Sequence, residues 1–265
     1  MSSSLIIGQY IPTDSVVHRL DPRSKIAIIF FYVVIVFFAN SVMSYGVLAL
    51  FAVGSAILSK VPLSYIMKGL KPVWFLIIFT FFLHIFVTRD GAVAFSIFGW
   101  DVYWEGLIQG GAISLRFFLL ILVTSLLTLT TTPIEITDAI EELLGPLKKV
   151  KFPVHELALM MSISLRFIPT LMQETEKISK AQASRGVDLR TGSFKDRMKA
   201  VVPLLVPLFV SAFKRAEELA MAMEARGYQG GEGRTKLREL SIGKSDVMLY
   251  IVFVLLIIAL FLTRS

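Results

Sequence analysis

Read for apolar against polar positions, the chain divides into long hydrophobic runs and one extended charged stretch. No Asp, Glu, Lys, Arg or His occurs in residues 26–59. A helix rises about 1.5 Å per residue and must cross about 30 Å of hydrocarbon, so each span needs roughly 17 to 25 apolar residues. Residues 26–59 therefore predict two spans folded back at the polar break Ala39-Asn40-Ser41. Residues 72–88, 106–132 and 247–263 predict a third, fourth and fifth. Residues 157–172 and 200–213 are shorter, or broken by Arg166, Pro203 and Pro207, and read as buried or interfacial helices; a sixth span is the alternative for one of them. Asp21-Pro22 marks where the first span starts, because Asp is a good N-cap and Pro suits the first helical position. Arg23 and Lys25 then fall among lipid headgroups.

Between the fourth and fifth spans the pattern changes. After Val201, apolar or small residues fall at 202, 205, 206, 209, 212, 213, 216, 219, 220 and 223, the stripe of a long amphipathic helix. Lys214, Glu217, Glu218 and Glu224 take the opposite face, and Gly227 suits a left-handed cap after Ala225-Arg226. Ala212, Ala216 and Ala220 recur every fourth residue, which lets another helix backbone cross closely. The preceding segment repeats the plan: it starts after Pro153, runs through Arg166 and Pro169, where a kink is expected, and stops at Ser184-Arg185-Gly186. Residues 187–199 join the two as a hydrophilic link, so a weak internal duplication of helix plus Arg-Gly stop is expected. A shorter helix over about 134–147 leads in, and a Gly-rich segment at 228–236 leads out.

Composition sharpens this picture. Of 265 residues, 55% are hydrophobic and only 18% charged, too apolar for a soluble domain, while residues 132–246 hold 18 of the 27 Lys+Arg and 15 of the 20 Asp+Glu. The chain is thus part membrane and part water-facing. Basic residues set the orientation: 18–25 is basic, Lys60, Lys68 and Lys71 follow the second span, and Arg89 after the third is outweighed by Asp90, Asp101 and Glu105. This places the amino terminus inside, residues 133–246 in the cytoplasm and the tail 263–265 outside. Phe98, Trp100, Tyr103 and Trp104 suit the outer interface. Residues 1–17 carry only Asp14 as a charge and do not read as a cleavable signal. The net charge of +7 is explained by a basic cytoplasmic face without invoking nucleic acid.

With no Cys and three scattered His, disulfides, thiolate sites and cysteine nucleophiles are excluded and a zinc site is disfavoured. No phosphate-binding loop, H-E-x-x-H or G-x-S-x-G occurs, so this chain is expected to bind no cofactor and to catalyse nothing. Ionisable groups inside a membrane are functional candidates, and only Arg116 and His84 qualify. Arg116 reads either as a carbonyl-bonded structural Arg or as an intramembrane functional residue, and His84 as a packed neutral imidazole. Without paired acids in the spans, a carrier working alone is disfavoured. An Arg in a helix's last turn can simply complement the helix dipole. Two such Arg, each before a terminating Gly, read as paired knobs for acidic sockets, a task that suits the guanidinium fork.

The stretch Leu165-Arg166-Phe167-Ile168-Pro169-Thr170-Leu171, the ending Gln182-Ala183-Ser184-Arg185-Gly186, the run Ala222-Met223-Glu224-Ala225-Arg226-Gly227-Tyr228 and the opening His18-Arg19-Leu20-Asp21-Pro22-Arg23 together resemble the transmembrane T component of energy-coupling factor (ECF) transporters. The resemblance covers nearly the whole chain. That family's pattern is Ala-Arg-Gly twice; here Ser184 replaces the first Ala, and a small residue is kept. The resemblance implies a multi-pass bacterial cell-membrane scaffold joining two cytoplasmic ABC-type ATPase subunits, which bind ATP and Mg, to a membrane-embedded substrate-binding S component for uptake of vitamins or similar micronutrients. It further implies that Ser184, Arg185, Gly186, Ala225, Arg226 and Gly227 contact the ATPases.

The expected fold is an all-α integral membrane protein of about five transmembrane helices plus a cytoplasmic coupling domain of long amphipathic helices. Its parts are residues 1–132, 133–246 and 247–265. A self-sufficient membrane carrier or membrane-embedded enzyme is the competing reading, kept by Arg116 and by Glu135, Asp138, Glu141 and Glu142 near the inner face. The permease of an ordinary ATP-driven importer is disfavoured, because its E-A-A with a spaced Gly is missing.

Overall fold

A computed structural model describes residues 10–97, 100–186, 194–230 and 240–263. Phe98, most of the hydrophilic link, most of the Gly-rich exit segment, the first nine residues and the last two lie outside the described residues. The chain folds as two units, Met1–Leu143 with Leu240–Ser265, and Leu144–Glu239.

The first unit holds α1 (Pro22–Val36), α2 (Val42–Ser59), α3 (Leu63–Val87), α4 (Trp104–Thr130), α5 (Pro133–Leu143) and α8 (Lys244–Leu262). Asp21 caps α1 as expected, its carboxylate accepting from the Arg23 N–H at 2.8 Å, with Pro22 at the first position. Helix α1 is only 15 residues long, about 22 Å. It stops early because residues 37–39 close a tighter turn, Phe38 N–H to Ile35 and Ala39 N–H to Val36, before Ser41 caps α2 by accepting from Ser44 N–H at 3.1 Å. Among the described residues, the helices long and apolar enough to cross a membrane are α2, α3, α4, α8 and, in the second unit, α6 (Val154–Ser184). The expected number of spans is met, but α6 reaches the length and apolarity of a span and α1 does not.

Helix α3 begins at Leu63, well before Pro72, which it carries in its interior. Between α3 and α4 an antiparallel hairpin, β1 (Val93–Ile97) with β2 (Trp100–Tyr103), pairs Phe95 with Val102. Helix α4 lies against α1, α2 and α3. It approaches α3 on glycines: a Cβ at Gly106 would stand 3.1 Å from the His84 carbonyl, and one at Gly110 3.1 Å from the Phe81 carbonyl. One turn on, Ser114 donates to the Ile77 carbonyl at 3.3 Å, so small residues four apart bring the two backbones together. Tyr32, Leu48, Leu119, Leu129 and Leu260 lie at the centre of the apolar core.

Thr132 and Glu135 start α5 with reciprocal bonds, Thr132 N–H to the Glu135 carboxylate at 2.9 Å and Glu135 N–H to the Thr132 hydroxyl at 3.3 Å. The helix expected over 134–147 ends at Leu143, because Gly145-Pro146 cannot continue it, and a 3-10 turn, Gly145–Val150, follows. Helix α5 packs on α1, within the first unit.

The second unit is built on α6 and α7 (Phe194–Ala225). Pro169, Pro203 and Pro207 are accommodated inside continuous helices. Pro207 has no N–H for the Pro203 carbonyl, and Gln182 Nε2 donates there instead at 3.4 Å.

Candidate coupling surface

The two Arg-Gly endings fold alike. At the end of α6, Gly186 takes φ +83° and its N–H donates to the Ala183 carbonyl at 3.0 Å. At the end of α7, Gly227 takes φ +73°, its N–H reaches the Glu224 carbonyl at 2.8 Å, and the Tyr228 N–H reaches Met223 at 3.0 Å. At the end of α7 these are the two bonds of a Schellman cap, and the Gly186 bond at the end of α6 is the counterpart of the Gly227 one; each suits a residue without a Cβ at the left-handed position. Each glycine turn leaves the preceding Arg on the helix end. Ser184, Arg185, Gly186, Ala225, Arg226 and Gly227 are all exposed.

Helices α6 and α7 run antiparallel, as three contacts spaced along them require. Gln182 meets Pro203, Glu174 meets Ser211 and Arg215, and His155 meets the Tyr228 hydroxyl at 3.4 Å. The Arg226 tip therefore sits beside the start of α6 and the Arg185 tip at its far end. Over the 31 residues of α6 this separates the tips by about 45 Å. Mid-pair, Glu174 fixes the register: it accepts from the Ser211 hydroxyl at 2.6 Å and from Arg215 Nη2 at 3.3 Å.

Ala212, Ala216 and Ala220 share one face and, with Ile163, Phe167 and Leu171 of α6, line an apolar cleft of about 320 Å³. Ala216 and Ala220 are exposed along this cleft.

Arg116 is accounted for inside the first unit. Its Nη2 donates to the Tyr45 hydroxyl at 2.8 Å and to the Ala39 carbonyl at 3.3 Å, and its guanidinium lies 5.4 Å from the Phe37 ring centre. It thus holds the turn between α1 and α2. His84 contributes its backbone and Cβ to the Gly106 and Gly110 contacts of α4.

A polar junction that the sequence pattern did not reveal forms around the start of α1. Asp246, 2% exposed, accepts from the N–H of Asp21 and of Gly243, each at 2.8 Å, and so ties α8 to α1. Lys25 places its three donors on the His18 carbonyl, the Thr130 carbonyl and the Thr131 hydroxyl. Burial pushes the Asp21 carboxyl up, but the hydrogen bonds and charge of Arg23 outweigh it and hold the group below its ordinary value. His18 Nε2 stands 3.0 Å from the Ile11 carbonyl, which can only accept, so Nδ1 is left to accept from Ser15 at 2.7 Å. Burial lowers its pKa, which keeps the ring neutral at pH 7. Among the described residues no His, Asp and Glu cluster could hold a metal ion.

Several helices long and apolar enough to cross a membrane, in one chain with a long antiparallel pair that ends in exposed Arg-Gly turns, define a multi-pass membrane protein. Comparison with known proteins makes this specific. Residues 13–237 match the family model described as cobalt transport protein, CbiQ. The chain is 62% identical over 265 residues to the energy-coupling factor transporter transmembrane protein EcfT of Bacillus subtilis, covering all of both chains. It is 53% identical over 261 residues to the protein of the same name from Brevibacillus brevis, covering 98% of each, and 50% identical to that of Listeria innocua over the full length of both. The chain belongs to this family, the transmembrane T component of ECF transporters.

Proposed function

We propose that the protein is the scaffold and coupling subunit of an ATP-driven importer in the bacterial cell membrane, with its amino terminus inside. It joins two cytoplasmic ABC-type ATPase subunits to a membrane-embedded substrate-binding S component that takes up a vitamin or similar micronutrient. The chain itself holds no cofactor and catalyses no reaction; ATP and Mg are bound by the partner ATPases. The observation that carries this reading is the pair of exposed Arg-Gly tips, built on the same glycine turn and held at opposite ends of one helix pair. Two tips so far apart suit two ATPase subunits, each receiving one guanidinium in an acidic groove. The apolar cleft bordered by Ala212, Ala216 and Ala220 offers a surface for side chains of the S component.

Reversing both tip charges, Arg185→Glu with Arg226→Glu, tests the contact. Each acidic groove then faces a like charge, at a cost of several kcal/mol. The variant is expected to reach the membrane at wild-type level and to lose the ATPases on purification. Co-purification at wild-type yield contradicts the reading.

A further inference from the structure

The chain passes from the first unit to the second after Leu143 and returns at Leu240. One guanidinium holds both crossings. Arg23 Nη1 donates to the carboxylate of Glu142, one residue before the exit, and Arg23 Nη2 donates at 2.9 Å to the carbonyl of Leu240, the first residue of the return. Its Nε and Nη2 also donate to Asp21, at 3.1 and 2.8 Å, and the Asp21 side chain is 1% exposed. Asp21 is in turn tied through its N–H to Asp246, which caps the first turn of α8 just downstream of the return.

We infer that Arg23 is the joint through which movement of the coupling helices enters the membrane unit, a positioning residue for energy coupling. This rests on reading the chain as a coupling subunit. The covalent chain leaves the first unit after Leu143 and re-enters it at Leu240, so displacement of the second unit that is carried along the chain arrives at residues 142 and 240. Arg23 lies in the first turn of α1, whose Ile28, Tyr32, Ile35 and Val36 are buried in the core of the first unit. A pull at either crossing is thereby shared by the other and passed into α1. The planar fork of Arg, with five donors, serves Asp21, Glu142 and Leu240 together; the single ammonium of Lys spans fewer of these directions at once.

The test uses the full chain with its ATPases and S component, reconstituted in vesicles, as wild type, Arg23→Lys and Arg23→Ala. The ATPases are expected to co-purify at wild-type yield with all three. Uptake per ATP hydrolysed is expected to fall about tenfold in Arg23→Ala and by less in Arg23→Lys. A wild-type ratio in Arg23→Ala, or uptake and hydrolysis that fall together with the amount of assembled complex, overturns the inference. Hydrogen exchange on the purified chain alone supplies an arm that needs no partner. Arg23→Ala should speed exchange at 139–143 and 240–246 together and leave 119–129 unchanged, whereas Glu142→Gln should loosen only 139–143. Loosening at one crossing alone in Arg23→Ala overturns the joint. Failure of the wild-type chain to bind ATPases overturns instead the function on which it rests.

Discussion

The two units solve opposite problems with the same helices. In the first, α4 is packed on three sides, its glycines touch the α3 backbone, and Tyr32, Val36, Leu48 and Leu260 are fully buried. Three of its basic side chains are turned inward onto this chain: Arg116 onto Tyr45 and Ala39, Lys25 onto Thr130 and Thr131, Arg23 onto Asp21, Glu142 and Leu240. In the second unit the described buried residues are few, Val154, Ala158 and Leu204 among them, and the Arg of both tips point outward. A pair of long helices held by Glu174, Gln182 and a partly open cleft has little core of its own. The difference teaches where each unit keeps its specific features: in internal contacts for the first, in exposed surface for the second.

The contrast breaks most severely at the α3–α4 contact. Gly110→Leu forces a side chain against the Phe81 carbonyl and the His84 Cβ, where a first carbon already has only 3.1 to 3.3 Å. It is expected to cost about 3 kcal/mol of stability, read as a fall in melting temperature and yield in detergent. A variant as stable as wild type would show that the close approach is dispensable.

A glycine of the second unit should behave otherwise. Gly227 has open space around its absent Cβ, but its φ of +73° strains any L side chain. Gly227→Ala is expected to cost only about 1 kcal/mol, confined to the last turn of α7, and to leave the melting temperature nearly unchanged while ATPase binding weakens. Loss of global stability equal to that of Gly110→Leu would erase the distinction between the units.

Much of the second unit was legible in the sequence because its determinants are local. The helical stretch from Val202 to Met223 and the stops at Arg185-Gly186 and Arg226-Gly227 depend on residues within a turn or two, and the helices run and end there as expected; the Asp21-Pro22 start in the first unit is equally local. What escaped reading is what couples distant positions. Asp246 is recognisable as the partner of Asp21 only once α8 and α1 are side by side, and Gly106 and Gly110 look like ordinary span residues until α3 is laid against them. The hairpin at 93–103 is not legible in the pattern, since two short strands give little period to detect. Helix α1 ended short because the turn after it consumes Phe37 and Phe38, which apolarity alone assigns to the span. The Gly145-Pro146 pair ends α5 at Leu143, four residues before the expected end at about 147.

The central claim is that the tips transmit motion as well as anchor partners, and Arg226→Lys isolates it with the smallest change. Lys keeps the charge that attracts an acidic groove and loses the fork that fixes the angle between helix and groove. Uptake and ATP hydrolysis are to be measured on the same reconstituted complex, beside wild type. The account predicts ATPase affinity within about tenfold of wild type, roughly 1.4 kcal/mol, with a larger loss of uptake per ATP hydrolysed. If uptake and hydrolysis instead fall together, in proportion to the complex assembled, Arg226 is an anchor only and the claim is contradicted.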